Sequence, residues 1–312
     1  MSRSAATMEG PVAGSAIATA PGTHAGSFTA GDWVLLLVPA VLSGGSFLLM
    51  AEGLEALAPD VVTFGRIAAG FLTLACVPAA RAPVGRSAWP RIALLGFTWM
   101  ALPLTLYPLA QQHLQSAVAG MINGGTPLLV AIISSVLLRH LPGVRQRVGL
   151  IVGLVGIVLV SFPSFGGGQN SIIGVLMVLG AITGYGFSFN LAVPLQQTFG
   201  ALPVIFRAQA VAVLLSIPGL VLGVGSSSVQ TRPLLAVVAL GVGGTAIAYV
   251  CIAALAGRVG STRSSIVTYV STPIAIAFGV VARGDSVRPV QLVGVALILS
   301  GAWWASRAEG SP

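Results

Sequence analysis

Apolar residues run through this chain in long blocks, with polar residues gathered into short stretches between them. Ten blocks stand out, at about 33–51, 60–79, 90–110, 116–138, 146–163, 171–191, 202–222, 234–255, 262–282 and 288–306. Each is near the ~20 residues that a helix needs to cross ~30 Å of hydrocarbon. The breaks are too short to hold a soluble catalytic domain. The pattern predicts an all-α integral membrane protein of ten transmembrane helices. Residues 1–32 lack a sustained apolar run, carry Pro11 and Pro21, and are rich in Ala, Gly, Ser and Thr, which predicts a disordered tail. Residues 307–312 form a second, short polar tail.

Composition sharpens this reading. The chain is 55% hydrophobic and 7% charged, against roughly 25% charge in a soluble domain. Its mean hydropathy is +0.96. The net charge of +8 comes from arginine, because lysine is absent. With the N-terminus inside, Arg3, Arg81, Arg86, Arg91, Arg139, Arg145, Arg147, Arg258, Arg263 and Arg307 fall on the cytoplasmic side, and Arg232, Arg283 and Arg288 outside. That bias predicts both termini in the cytoplasm of a cell whose inner membrane holds the protein. Topology thus accounts for the basic balance, and no basic patch suggests nucleic acid.

One pattern occurs twice. Thr126-Pro127, Gln146, Gly149 and Gly156 are followed by Thr272-Pro273, Gln291, Gly294 and Gly301. Gln to Gly is three residues and Gly to Gly seven in both copies, and Pro to Gln is nineteen against eighteen. Arg66 pairs with Arg207 at an offset of 141, and Phe47 with Phe187 at 140. These anchors divide the chain into repeats at 33–163 and 171–306. Five helices per repeat would set the second upside down in the bilayer, an inverted repeat of five plus five helices. Such repeats build a midplane site that opens to either side.

At this point the chain resembles a family. Ser43-Gly44-Gly45-Ser46-Phe47 with Pro59 looks like the first-helix signature of EamA-type carriers in the drug/metabolite transporter superfamily, and 117–156 and 265–301 look like its fourth-to-fifth and ninth-to-tenth helix segments. The resemblance covers about 33–306 and implies ten helices, an inverted repeat and transport of small organic metabolites, often by export. Two positions depart from the pattern. Ser43-Gly44 replaces the usual Trp-Gly, and His140 stands where the loop glutamate is usual, with Asp285 as its second-half equivalent.

Candidate site residues follow from polarity inside apolar blocks. Pro127 and Pro273 each remove a helix hydrogen bond and free a carbonyl a turn earlier, so both are expected to kink their helices. Asn123 and Tyr269 lie four residues before them, on the same helix face, and are expected to face a central cavity; helix–helix hydrogen bonding is the alternative. Ser46, Trp99, Tyr185, Ser188, Asn190 and Tyr249 are further cavity candidates, since polar-edged aromatics suit a mostly apolar pocket. Arg66 and Arg207 read as a symmetric pair near opposite mouths, either snorkelling to headgroups or gating. Glu52, at one end of the first block, is either a proton-coupling acid or a loop residue beside Glu55 and Asp60.

Other chemistries find little support. Cys76 and Cys251, both within blocks, suggest packing rather than a disulfide or metal site. His24, His113 and His140 have no metal-like neighbours, and neither a cofactor nor a metal is implied. No block holds paired acids or an HExxH motif, which argues against an enzyme. The glycines of 149–156 and 294–301 suit close helix packing, inside the molecule or in a homodimer. The expected protein is a carrier for a small organic solute in the bilayer; a channel or a sensory membrane protein is the alternative. The cavity reads as nearly neutral and partly aromatic, suited to a neutral or zwitterionic metabolite or a lipophilic cation.

Overall fold

The structure is a computed structural model that describes residues 20, 22–23, 27–137, 143–163 and 171–306. His140 and both chain ends lie outside the described residues. Among the described residues every regular element is helical. In chain order these are α1 (Ala30–Gly53), α2 (Pro59–Ala75), α3 (Trp89–Leu95), α4 (Leu102–Gln111), α5 (Ser116–Asn123), α6 (Thr126–Leu137) and α7 (Val144–Ser161). The second half follows with α8 (Ile172–Phe199), α9 (Ala201–Gly223), α10 (Thr231–Ala239), α11 (Ala248–Val259), α12 (Ser261–Ser264), α13 (Val267–Arg283) and α14 (Pro289–Ser306). Two π turns, Gly96–Ala101 and Leu240–Ile247, join α3 to α4 and α10 to α11 into continuous rods.

Each of the ten predicted blocks falls on one of these helical runs. Eight runs among the described residues are long and apolar enough to cross a membrane, and Pro289–Trp304 forms a shorter apolar one. The helix α2, of 17 residues, also carries Arg66. The outer surface is greasy: Leu72, Leu214, Leu222 and Val281 are all well exposed. An apolar belt of this extent cannot face water and marks a multi-pass membrane protein.

Helix starts obey local rules. Thr29 Oγ1 accepts from the Asp32 backbone at 3.3 Å while the Thr29 backbone donates to the Asp32 carboxylate at 2.9 Å, a reciprocal capping box that starts α1. Pro59 opens α2, where its missing N–H costs nothing. The Asp285 carboxylate accepts from Ser116 Oγ at 2.5 Å and the Ala117 backbone at 2.8 Å, so the second-half acid caps the start of α5.

Packing matches between the halves. α1 lies on α13 and α8 on α6; α2 lies on the second π turn and α9 on the first; α2 meets α9, and α7 meets α14. Glycine makes the closest approaches possible. A Cβ on Gly156 would sit 2.6 Å from the Gly294 carbonyl oxygen, and one on Gly294 2.8 Å from that of Gly156. The glycine stripes therefore pack α7 against α14 inside the molecule.

The same contacts correct the sequence alignment. A Cβ on Gly96 would lie 2.6 Å from the Ala208 carbonyl oxygen, and one on Gly241 would lie 2.6 Å from the Arg66 carbonyl oxygen. Ala208, not Arg207, is thus the packing counterpart of Arg66. The shift, 208 − 66 = 142, also sets Phe189, not Phe187, opposite Phe47. Phe47 and Phe189 are buried, whereas Phe187 is exposed.

The proline expectations need correction too. Pro127 sits in the first turn of α6, and the chain breaks just before it at Gly124-Gly125. The Asn123 carbonyl, which Pro127 leaves without its helical partner, accepts from Thr126 Oγ1 at 2.7 Å. In the second half the break falls at 265–266, and Pro273 is exposed within continuous α13. Proline marks both helices, but the breaks, at 124–125 and 265–266, fall at different distances from it. Cys76 caps the end of α2 and is exposed, and Cys251 is half-buried, so neither is a fully buried packing residue.

Candidate functional site

The two halves meet around a cavity with about 60 Å³ of room for the centres of water-sized molecules. That is space for a few waters. Nearly all its lining side chains are buried, so it has little contact with bulk solvent.

An aromatic collar forms its wall. Trp99 packs on Tyr249 and Phe189 with ring centroids 5.4 and 5.6 Å apart. Tyr107 packs on Phe47 and Tyr185 at 5.5 and 5.9 Å. Hydroxyls close the ring. Tyr249 donates to the Trp99 carbonyl at 3.3 Å, Tyr185 and Tyr249 share a bond of 2.9 Å, and Tyr107 donates to Asn123 Oδ1 at 2.6 Å. These bonds satisfy the polar ends of large apolar groups.

Arg66 reaches into this collar. It is only 3% exposed, and its Nε donates to Thr245 Oγ1 at 3.2 Å. Thr245 in turn donates to the Leu240 carbonyl five residues earlier, a reach that the π turn provides. Gln209 Nε2 donates to the Thr245 carbonyl at 2.9 Å, so one threonine joins α2, α9 and the second π turn. The absent side chain of Gly241 lets the Arg66 backbone come close enough for this geometry.

Ion pairs lie beyond the cavity, at both ends of α1. Asp32, wholly buried, pairs with Arg258 at 2.6 Å. At the other end Glu52 pairs with Arg232 at 2.7 Å and Arg283 at 3.3 Å, and Arg283 also contacts Glu55. Arg258 and Arg232 stand at opposite ends of the 231–259 run, so α1 is tied to that run twice.

The cavity brings together Ser46, Trp99, Asn123, Tyr185 and Tyr249 from the sequence candidates. It does not include Ser188, Asn190 or Tyr269. Ser188 bonds Thr98 at 2.8 Å and the Gly184 carbonyl, and Asn190 takes a bond from Ser261 at 3.0 Å, so both join helices. Tyr269 is half-buried among apolar side chains, and its hydroxyl finds no partner among the described residues. Arg66 neither snorkels nor sits at a mouth. Arg207 is half-buried and caps carbonyls of Ala82 and Pro203 at 2.8 and 3.1 Å. The expected symmetric pair is therefore absent, because one residue turns a helix position by about 100°. Glu52 is neither an exposed loop residue nor an isolated acid; two arginines flank it. The expectation of a nearly neutral cavity also fails, since Arg66 brings a positive charge.

Sequence reasoning missed Tyr107, Thr245, Phe189 and Gln209. The glycine-rich run before Thr245 (Gly241, Gly243, Gly244) was the available signal for the π turn.

Comparisons with known proteins point to one transporter family. The model of the EamA-like transporter family matches residues 32–162 and again 172–307. A WAT1-related chloroplastic protein of Arabidopsis thaliana is 25% identical over 301 residues, which cover 90% of this chain and 70% of that protein. The uncharacterized transporter YdfC of Bacillus subtilis (strain 168) is 24% identical over 266 residues, covering 83% of this chain and 86% of that protein. A solved crystal structure superposes with a TM-score of 0.62 at 21% identity, covering 89% of this chain and 97% of that one.

Proposed function

This chain belongs to the EamA-like transporter family, and from that premise we propose that it is a secondary carrier that moves a small organic solute by alternating access. Ten spans in an inverted five-plus-five repeat would hold the cavity near the bilayer midplane, with both termini in the cytoplasm of the inner membrane and export as the direction. The observation that carries the reading is the buried cavity between two halves with matching packing, with ion pairs at both ends of α1. Opening to one side would break Asp32–Arg258; opening to the other would break the Glu52 cluster. The two π turns, at matching places in the rods that pack on α2 and α9, are where such helices can flex.

Counterflow in liposomes tests the mechanism. Purified protein should exchange members of a mixed metabolite pool, followed by mass spectrometry, with saturation and stimulation by solute on the opposite side. Asn123→Ala, at the cavity wall, should weaken that exchange, and Tyr269→Phe should not. Flux without saturation or exchange would point to a pore instead.

A further inference from the structure

Arg66 carries a charge that no carboxylate among the described residues neutralises. Its Nε is bonded to Thr245, and no other hydrogen bond to its guanidinium exists among the described residues. The four ion pairs there all lie at the ends of α1 and leave Arg66 out. The cavity wall holds tyrosine, asparagine, serine and threonine but no carboxylate. An arginine in mid-span costs about 2.5–3.5 kcal/mol on insertion scales, and buried charges are normally paired. Here the unpaired terminal nitrogens belong to a side chain that Thr245, Gln209 and Gly241 hold in place. A fixed guanidinium fork with free donors is the geometry that a carboxylate meets with two parallel bonds.

We propose that Arg66 is the anion-binding group of this cavity and that the solute is a monocarboxylate with an apolar or aromatic body. The proposal rests on the carrier reading for its biology. One guanidinium and no second cation in the wall favour a single negative charge over a phosphate dianion. An ammonium group on the solute would find no carboxylate, so a plain organic acid fits better than an amino acid. The collar of Trp99, Tyr249, Phe189 and Phe47 takes the apolar body when the cavity widens beyond the few waters it holds room for in this closed form. Thr245 is a positioning residue: it aims Arg66 and need not touch the solute.

The test uses the full chain in detergent and three probes of similar size: phenylacetate, its neutral amide phenylacetamide, and the cation benzyltrimethylammonium. Benzoate and 3-phenylpropionate extend the acid series. Binding is read from thermal protection and from quenching of tryptophan emission. One or more acids should protect the protein and the amide and cation should not. Arg66→Gln should lose at least about tenfold in affinity, Arg66→Lys should keep part of it, and Thr245→Val should weaken it while sparing the fold. Arg66→Gln without ligand should melt no lower than wild type, because it removes an unpaired buried charge; a purely structural arginine would give the opposite. Protection by the amide or cation equal to that by the acids, no protection by any acid, or undiminished acid binding in Arg66→Gln overturns the proposal. Liposome exchange separates the two readings. Saturable exchange of neutral solutes unaffected by Arg66→Gln overturns the anion site and leaves the carrier. Arg66-dependent acid binding without exchange upholds the site and removes the carrier.

Discussion

Arg66 and Arg207 stand at nearly corresponding places in the two halves, yet one is buried at the centre of the molecule and the other caps a loop. Their helices pack alike: each lays a backbone carbonyl against the glycine of the opposite half's π turn. The side chains diverge because the packing counterpart of Arg66 is Ala208, and Arg207 is turned about 100° away from that position. The difference teaches that the repeat fixes where helices run, while helical phase decides which side chain reaches the cavity. Two guanidiniums facing each other there would repel, and the offset leaves one.

The largest expected effect tests that contrast directly. Arg66→Gln should reduce exchange of an aromatic monocarboxylate at least about tenfold, while Arg207→Gln should stay within about twofold, as loss of one charge-assisted site predicts; uptake into proteoliposomes reads both. Equal losses would mean that the two arginines act as a pair after all. Next, the packing symmetry predicts that Gly96→Ala and Gly241→Ala each lower stability by about 1–3 kcal/mol, because both Cβ atoms would meet a carbonyl oxygen at 2.6 Å. Only Gly241→Ala pushes on the helix that carries Arg66, so only it should also weaken carboxylate binding; thermal melts with and without phenylacetate separate the effects.

Smaller changes sharpen the comparison at the collar. Tyr107→Phe removes the 2.6 Å bond to Asn123 and leaves Asn123 Oδ1 a 3.3 Å contact with Thr126. A loss of about 1 kcal/mol in denaturant unfolding is expected. Tyr269→Phe, which removes a hydroxyl without a partner among the described residues, should cost nothing or stabilise slightly.

Much of the fold was legible because crossing a bilayer demands length and apolarity, and both are written along the chain. Each block falls on a helical run among the described residues, and eight of those runs are long and apolar enough to cross a membrane. Several cavity residues were legible too: Asn123, Tyr185 and Tyr249 are polar-edged groups in apolar blocks, and packing brought them together. Arg66 was harder. Its depth depends on Gly241 in a distant π turn, whose sequence sign is its clustered glycines. Phe187 misled because identity of residue type is weaker evidence than helical phase. Pro273 misled because its missing hydrogen bond lies on an exposed face of α13, where no break follows.

The decisive measurement asks whether the cavity beside Arg66 is reached from both sides of the membrane. Ser43→Cys, in a background with Cys76→Ser and Cys251→Ser, places one thiol on the cavity wall. An impermeant maleimide is applied to sealed vesicles of each orientation, with and without phenylacetate. Modification from both sides, slowed by phenylacetate when Arg66 is intact but not when Arg66→Gln is added to the same background, is the expected result. Modification from one side only, or at a rate that phenylacetate leaves unchanged, would contradict a solute path through this cavity.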